Sequence, residues 1–224
     1  MTGEEKLWDK VYEKFTDKNS VWREGPTDYI MNKVEFLKSE GKNVVLDAGC
    51  GDGRNLIALA ERGMRAIGVD FSAEALKKCT ETAKTKKVDV KLLKNNLKDI
   101  EIPDASVDLI VCEGVIEHLR KPEDVIKEFK RVMKDGALAI VEVKTIRDPQ
   151  KGLGTKISDR EFVRNDVYLR FYSLNDFKRL LSGFEVLCID TVRFSDPYHG
   201  EGYHRKGRHW HESYFALVRK GQAI

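Results

Sequence analysis

The sequence predicts an α/β domain with a seven-stranded sheet, and three observations predict it. Val44-Val45-Leu46-Asp47-Ala48-Gly49-Cys50-Gly51-Asp52-Gly53 passes from an apolar run through alternate glycines into an amphipathic segment, which reads as strand, tight turn and helix. A second short apolar strand ends in Asp70, 17 residues beyond Gly53, the span that one helix and one strand consume. Apolar and amphipathic segments keep alternating beyond it, and the chain closes on two long strands of which the last returns antiparallel on the one before. The glycine-rich turn lets the backbone bend sharply and a ligand approach, while the next helix offers unpaired N–H groups, so a nucleotide-type pocket is expected there. A dinucleotide fingerprint would need a glycine where Arg54 stands, and a phosphate-cradling loop would need a Gly-Lys-Ser/Thr that the sequence lacks.

Length and charge bound the remaining possibilities. The 224 residues fit a single domain, 1–224, with 1–41 as an N-terminal helical cap and 144–170 as a cap insertion. Lys+Arg 40 against Asp+Glu 37 leaves a formal charge of +3, which does not suggest a strongly basic nucleic-acid binder. No stretch approaches the roughly 18 apolar residues of a membrane span, and the N-terminus is charged, so a soluble cytoplasmic protein is expected. Cys50, Cys79, Cys112 and Cys188 are far apart and lack Cys-x-x-Cys spacing, which reads as buried thiols rather than disulfides or a zinc knuckle.

The elements follow in order. Leu7, Trp8, Val11, Tyr12 and Phe15 fall at helical spacing and predict a helix from about Gly3 to Asp17. Trp22 lies in a polar loop, and a second helix is expected from Thr27, as its cap, to about Ser39, with Ile30, Val34 and Leu37 inward. After the motif strand come a helix ending at Gly63, the strand Ala66 to Asp70, and a helix capped by Ser72 with Leu76, Cys79 and Ala83 inward. Val88 to Leu93 alternates as a strand, and Leu109 to Cys112 is another, followed by Glu113-Gly114-Val115-Ile116-Glu117-His118-Leu119. Pro122 opens a helix to Met133, Asp135-Gly136 turns into a strand from Ala137 to Val143, and 144–170 breaks the rhythm as a mobile cap. A helix starts at Tyr172-Ser173-Leu174, and the last two strands are Phe184 to Phe194 and Arg208 to Arg219. Four of the five histidines, His199, His204, His209 and His211, fall in or beside the connection between them. Pocket lining, a solvated loop and a metal site are all open for them, although no Cys or carboxylate completes a recognised metal spacing.

Asp47-x-Gly49-x-Gly51-x-Gly53, the phrase Gly-Val-Asp-Phe-Ser at 68–72, and the apolar strand leading to Glu113 and Glu117-His118-Leu119 together resemble the class I S-adenosylmethionine (SAM) dependent methyltransferases. Within these the chain is similar to the small-molecule enzymes of the ubiquinone-biosynthesis, tellurite-resistance and thiopurine types, whose Trp-Asp-x-x-Tyr helix is matched by Trp8 to Tyr12. The resemblance covers about Trp8 to Lys220. It implies a Rossmann-like doubly wound sheet of order 3-2-1-4-5-7-6 with strand seven antiparallel. It also implies a cofactor site in which Asp47, Gly49, Cys50 and Gly51 form the turn and Asp70 accepts the ribose hydroxyls. Phe71 would stack near the adenine, Asn96 and the Leu97 N–H would read it, and Trp22 would fold over the methionine end. The family usually carries an Asp where Asn96 stands, and Val107 replaces a common Phe. Glu113, at a strand end facing the crevice, would touch cofactor or acceptor.

SAM would give up its methyl group in an in-line displacement and leave S-adenosylhomocysteine, so the protein mainly aligns the partners and excludes water. No metal is required. A base matters only for an acceptor that holds a proton, and Tyr12, Glu113, His118, His209 and His211 are the candidates, with a structural role also open for His118. The expected partner is a small-molecule acceptor, with nucleic acid disfavoured. An RNA or protein methyltransferase and a non-catalytic SAM-binding protein are the alternatives.

Overall fold

A computed structural model describes residues 3–14, 25–196 and 209–221. Its main sheet has seven strands, β1 (Val44–Ala48), β2 (Arg65–Asp70), β3 (Val90–Lys94), β4 (Val107–Cys112), β5 (Met133–Lys144), β9 (Phe184–Asp196) and β10 (His209–Lys220). Their order is β3-β2-β1-β4-β5-β10-β9. The first five are parallel, while β10 runs antiparallel to both β5 and β9. Counted along this sheet alone, β9 is the sixth strand and β10 the seventh, so the expected order is observed.

Helices cover both faces because both faces are apolar. Along β10, Tyr214, Ala216 and Val218 join one core with Phe129 of α6 (Pro122–Val132) and Phe177 of α7 (Leu174–Leu180). Phe215 and Leu217 join the other, with Ile30 of α2 (Asp28–Met31), Val34 and Leu37 of α3 (Val34–Ser39), and Leu56 of α4 (Arg54–Glu61). This period-two division is what an antiparallel strand buried on both sides requires. Strand order reverses between β1 and β4, which opens a crevice at the carboxyl edge of the sheet.

Several boundaries differ from expectation. The helix expected from Thr27 to Ser39 is two short helices, and Thr27 makes no side-chain cap: its hydroxyl accepts from Arg54 and donates to Glu113. The first helix, α1, spans Gly3–Glu13, and residues 15–24 lie outside the described set. β5 begins at Met133 rather than Ala137, since Asp135-Gly136 is absorbed as an irregularity where β4 and β5 change register. Residues 144–170 carry a small antiparallel sheet, β6 (Thr155–Lys156), β7 (Glu161–Arg164) and β8 (Val167–Arg170), around Phe162, Leu169 and Phe171. No helix among the described residues is long and apolar enough to cross a membrane.

The Ser72 cap of α5 (Ala73–Lys86) is present, its Oγ accepting from the Ala75 N–H at 3.1 Å. That hydroxyl also donates to Asp9 of α1 at 2.7 Å. Ser72→Ala is therefore expected to destabilise the chain by about 1 kcal/mol, the usual effect of losing such a cap. Chemical denaturation measures this, and a change below about 0.3 kcal/mol would contradict the cap's role.

Candidate functional site

The glycine turn after β1 is shaped by what packs on it. Gly51 has φ 56°, and a Cβ there would lie 2.3 Å from the Tyr12 hydroxyl; at Gly49, φ 76°, it would lie 2.3 Å from Val115. The glycines thus admit protein as well as ligand, with α1 and the loop after β4 both closing on the turn. Asp70, at the end of β2, braces the same turn: one carboxylate oxygen accepts the Gly51 N–H at 3.0 Å, the other the Ser72 N–H at 2.9 Å. Burial raises its pKa, with those N–H groups opposing the rise. Asp47 is 3% exposed at the end of β1, and burial lifts it to about 7 against the pull of Arg54.

Helix α1 lies across three strand ends. Asp9 holds Ser72 beyond β2, Tyr12 sits over Gly51 beyond β1, and Trp8 meets the His118 ring edge-on at 5.0 Å beyond β4. Burial, Asp70 and Asp52 together push the Tyr12 phenol far up, so the hydroxyl stays protonated and is a poor base. His118 accepts no charge either. Its Nδ1 lies 2.9 Å from the Tyr168 carbonyl of β8, and burial lowers its pKa to about 4, which leaves a neutral imidazole joining the 144–170 sheet to the loop after β4.

Glu113 is the hub of a network. Its Oε2 accepts from the Thr27 hydroxyl at 2.5 Å and from Asn55 Nδ2 at 2.8 Å, and pairs with Arg54 at 2.9 Å. Arg54 also donates to the Thr27 hydroxyl, and Asn55 Oδ1 accepts the Thr27 N–H. Thus the segment before α2, the start of α4 and the end of β4 are fixed to one carboxylate whose side chain is 6% exposed.

On the other side of the crevice, Asn96 follows β3 and is exposed, its Oδ1 accepting the Lys98 N–H, while Leu97 is buried and Phe71 half-buried. His209 and His211 do share a side of β10, their rings 4.9 Å apart. His211 is buried with Nδ1 2.9 Å from Asp148 Oδ2. Burial pushes the Asp148 carboxyl up, but His211 and Lys144 outweigh it and hold it below the ordinary range. Trp22, His199 and His204 lie outside the described residues. Among the described residues no three His, Cys, Asp or Glu side chains are grouped to hold a metal ion.

Sequence reasoning missed Arg54, Asn55 and Thr27 as partners of Glu113, and it missed Glu117, Glu142 and Asp148. Glu142 carried a readable signal, a carboxylate inside the apolar strand Ala-Ile-Val-Glu-Val. It is 2% exposed, accepts the Gly114 N–H at 2.9 Å, and is lifted to about 8 by burial and by Glu117. Arg54 carried none, since its role is defined by Thr27, 27 positions before it, and Glu113, 59 positions after it.

Comparison with known proteins accords with this fold. The methyltransferase domain family matches residues 46–141. An uncharacterised methyltransferase of Bacillus subtilis is 25% identical over 189 residues, 84% of this chain and 73% of that protein. A ubiquinone biosynthesis O-methyltransferase of Rickettsia akari is 24% identical over 171 residues, 75% of this chain and 67% of that protein. The crystal structure of a SAM-dependent methyltransferase from Methanosarcina mazei has the same fold, with a TM-score of 0.72 at 17% identity over 89% of this chain and 100% of that one.

Proposed function

The chain belongs to the class I SAM-dependent methyltransferases, and from that premise we propose that it transfers the methyl group to a small-molecule acceptor. The observation that carries this reading is the cover that α1 and the 144–170 sheet place over the crevice. Tyr12 of α1 closes on the glycine turn, and Trp8 of α1 and the Tyr168 carbonyl of β8 both meet His118. Behind them stand the buried carboxylates of Glu117 and Glu142 beside Lys144, while Arg120 and Arg170 lie over the Tyr168 and Tyr172 rings. A nucleic acid would want an open, basic groove. The Rickettsia relative, an O-methyltransferase of ubiquinone biosynthesis, supports the same class of acceptor.

Bound SAM supplies an electrophilic methyl on a sulfonium; the chain's part is to hold, orient and dehydrate. The residues fit that ligand. A carboxylate offers about four lone-pair sites, and the two backbone N–H groups on Asp70 leave room for two ribose hydroxyls. Asp47 faces the turn with a carboxyl suited to the α-ammonium group, Phe71 offers a ring to the adenine, and Asn96 with the Leu97 N–H offers it hydrogen bonds. Gly49, Cys50 and Gly51 form the floor.

A pH dependence follows. Asp47 titrates near 7 in the ligand-free chain, and an ammonium group beside it favours the ionised form, so binding releases a proton below that pH. Affinity for SAM and for S-adenosylhomocysteine is expected to rise as pH increases from 5.5 to 7, by up to about tenfold per unit, and to level off above. Calorimetry in buffers of different ionisation enthalpy reads the proton directly; a pH-independent affinity without proton release would remove Asp47 from the site.

The function is tested with labelled SAM and three acceptor pools, a metabolite-sized filtrate, bulk tRNA and protein extract, each at two salt concentrations. Methylation confined to the filtrate and insensitive to salt is expected. Salt-sensitive methylation of tRNA, methylation of protein, or cofactor binding without any transfer would each replace the reading with one of its rivals.

A further inference from the structure

Buried side-chain oxygens without a hydrogen-bond partner among the described residues include Glu117 Oε2, Gln150 Oε1 and Tyr172 Oη. Such atoms are uncommon in folded chains, because water and protein donors are both denied to them. All three stand at one end of the sheet. Glu117 belongs to the 3-10 turn after β4, Tyr172 bridges to Thr145 directly beyond β5, and Gln150 follows Asp148, which binds its N–H. This is the side of the crevice away from Asp70 and β2.

Glu117 is 1% exposed, and its surroundings decide what can meet it. The charged and titratable groups facing it are Glu113 after β4, Glu142 and Lys144 of β5, Asp148 in the next loop, Cys112 of β4 and the Tyr172 phenol. Three carboxylates and one ammonium leave no place for an anionic ligand. What satisfies a buried, unpaired carboxylate oxygen there is a hydrogen-bond donor. Its rivals as a base are worse placed: Tyr12 lies over Gly51 on the cofactor side, and His118 is committed to the Tyr168 carbonyl.

We propose that Glu117 is the acceptor-side carboxylate, whose Oε2 takes a hydrogen bond from an O–H or N–H group of the small-molecule acceptor and removes that proton during transfer. This rests on the small-molecule reading above. The acceptor's lone pair bonds to the methyl carbon as the carbon–sulfur bond breaks and leaves its electron pair on sulfur. The proton passes from the acceptor oxygen or nitrogen to Glu117, which gives it up to solvent once the methylated product has left. The excess of carboxylates favours proton uptake, since burial raises the Glu117 pKa while Lys144 keeps the ionised form accessible.

The test compares the full chain with Glu117→Gln and Glu117→Asp, using S-adenosylhomocysteine as the binding probe and labelled SAM with whichever acceptor pool the wild type methylates. Glu117→Gln is expected to bind S-adenosylhomocysteine within twofold of wild type and to turn over at least 100-fold more slowly at pH 7.5. It should also lose the fall in rate that wild type shows as pH is lowered, and Glu117→Asp should recover part of the rate with that fall restored. Turnover of Glu117→Gln within threefold of wild type overturns the proposal, and so does loss of probe binding, which would mark a structural or cofactor role. Wild-type transfer to tRNA or protein with a Glu117→Gln defect overturns only the acceptor class; no transfer to any pool overturns both.

Discussion

Glu113→Ala is expected to lower the unfolding free energy by about 3–5 kcal/mol, the largest effect of any single change in the site. The reason lies in what it leaves behind rather than in what it removes. Arg54, 19% exposed, would keep its charge with its closest carboxylate gone, and Thr27 and Asn55 would lose the oxygen they share. Breaking one side of a buried ion pair costs more than replacing both sides, because the remaining ion stays desolvated and unpaired. Removing Arg54 as well should therefore restore part of the loss, and urea denaturation of the two single variants and the double variant measures the coupling. A Glu113→Ala shift below about 1 kcal/mol, or strict additivity, would show that the network contributes no cooperative stability. Because Thr27 leads into α2 and Arg54 opens α4, loosening this hub should also weaken the grip of the N-terminal helices on the crevice.

Asp70→Ala is expected to weaken SAM and S-adenosylhomocysteine binding by roughly 150-fold. Two hydrogen bonds from ribose hydroxyls to a carboxylate, at about 1.5 kcal/mol each, amount to about 3 kcal/mol. The estimate is a lower bound, since the carboxylate also fixes the Gly51 and Ser72 N–H groups, and the turn that the ligand rests on would be less well ordered without it. Asp70→Asn separates the two contributions: one amide oxygen can still accept from the backbone or from ribose, but the charge is gone. Calorimetry on folded variants gives the answer, and an affinity within threefold of wild type for Asp70→Ala would take this residue out of the ribose site.

Legibility of the chain divided along a physical line. The strand-turn-helix at Asp47 to Gly53, the second strand ending at Asp70, and the sixth and seventh strands at β9 and β10 were all readable, because periodicity and glycine spacing are local properties of the chain. Local signals failed where one residue's partner lay far away. Thr27 reads as a helix cap, and its hydroxyl is drawn instead to Glu113, 86 positions on. Arg54 reads as a missing glycine and turns out to be the counterion of that same carboxylate. In His118-Leu119 the imidazole reads as a structural group ahead of a base, and the Tyr168 carbonyl, 50 positions later, is what engages its Nδ1.

The sequence by itself determined the α/β fold, the strand order through its family resemblance, the cofactor class and the two aspartates at adjacent strand ends, since these rest on hydrophobic period, turn chemistry and spacing. Only the tertiary structure decided the ionisation of the site: which carboxylates are buried against one another around Lys144, which are held by backbone N–H groups, and which oxygen is left without a partner at Glu117. A pKa depends on desolvation and on charges a few ångströms away. Those distances are set when β4, β5 and β10 assemble, and no spacing along the chain records them.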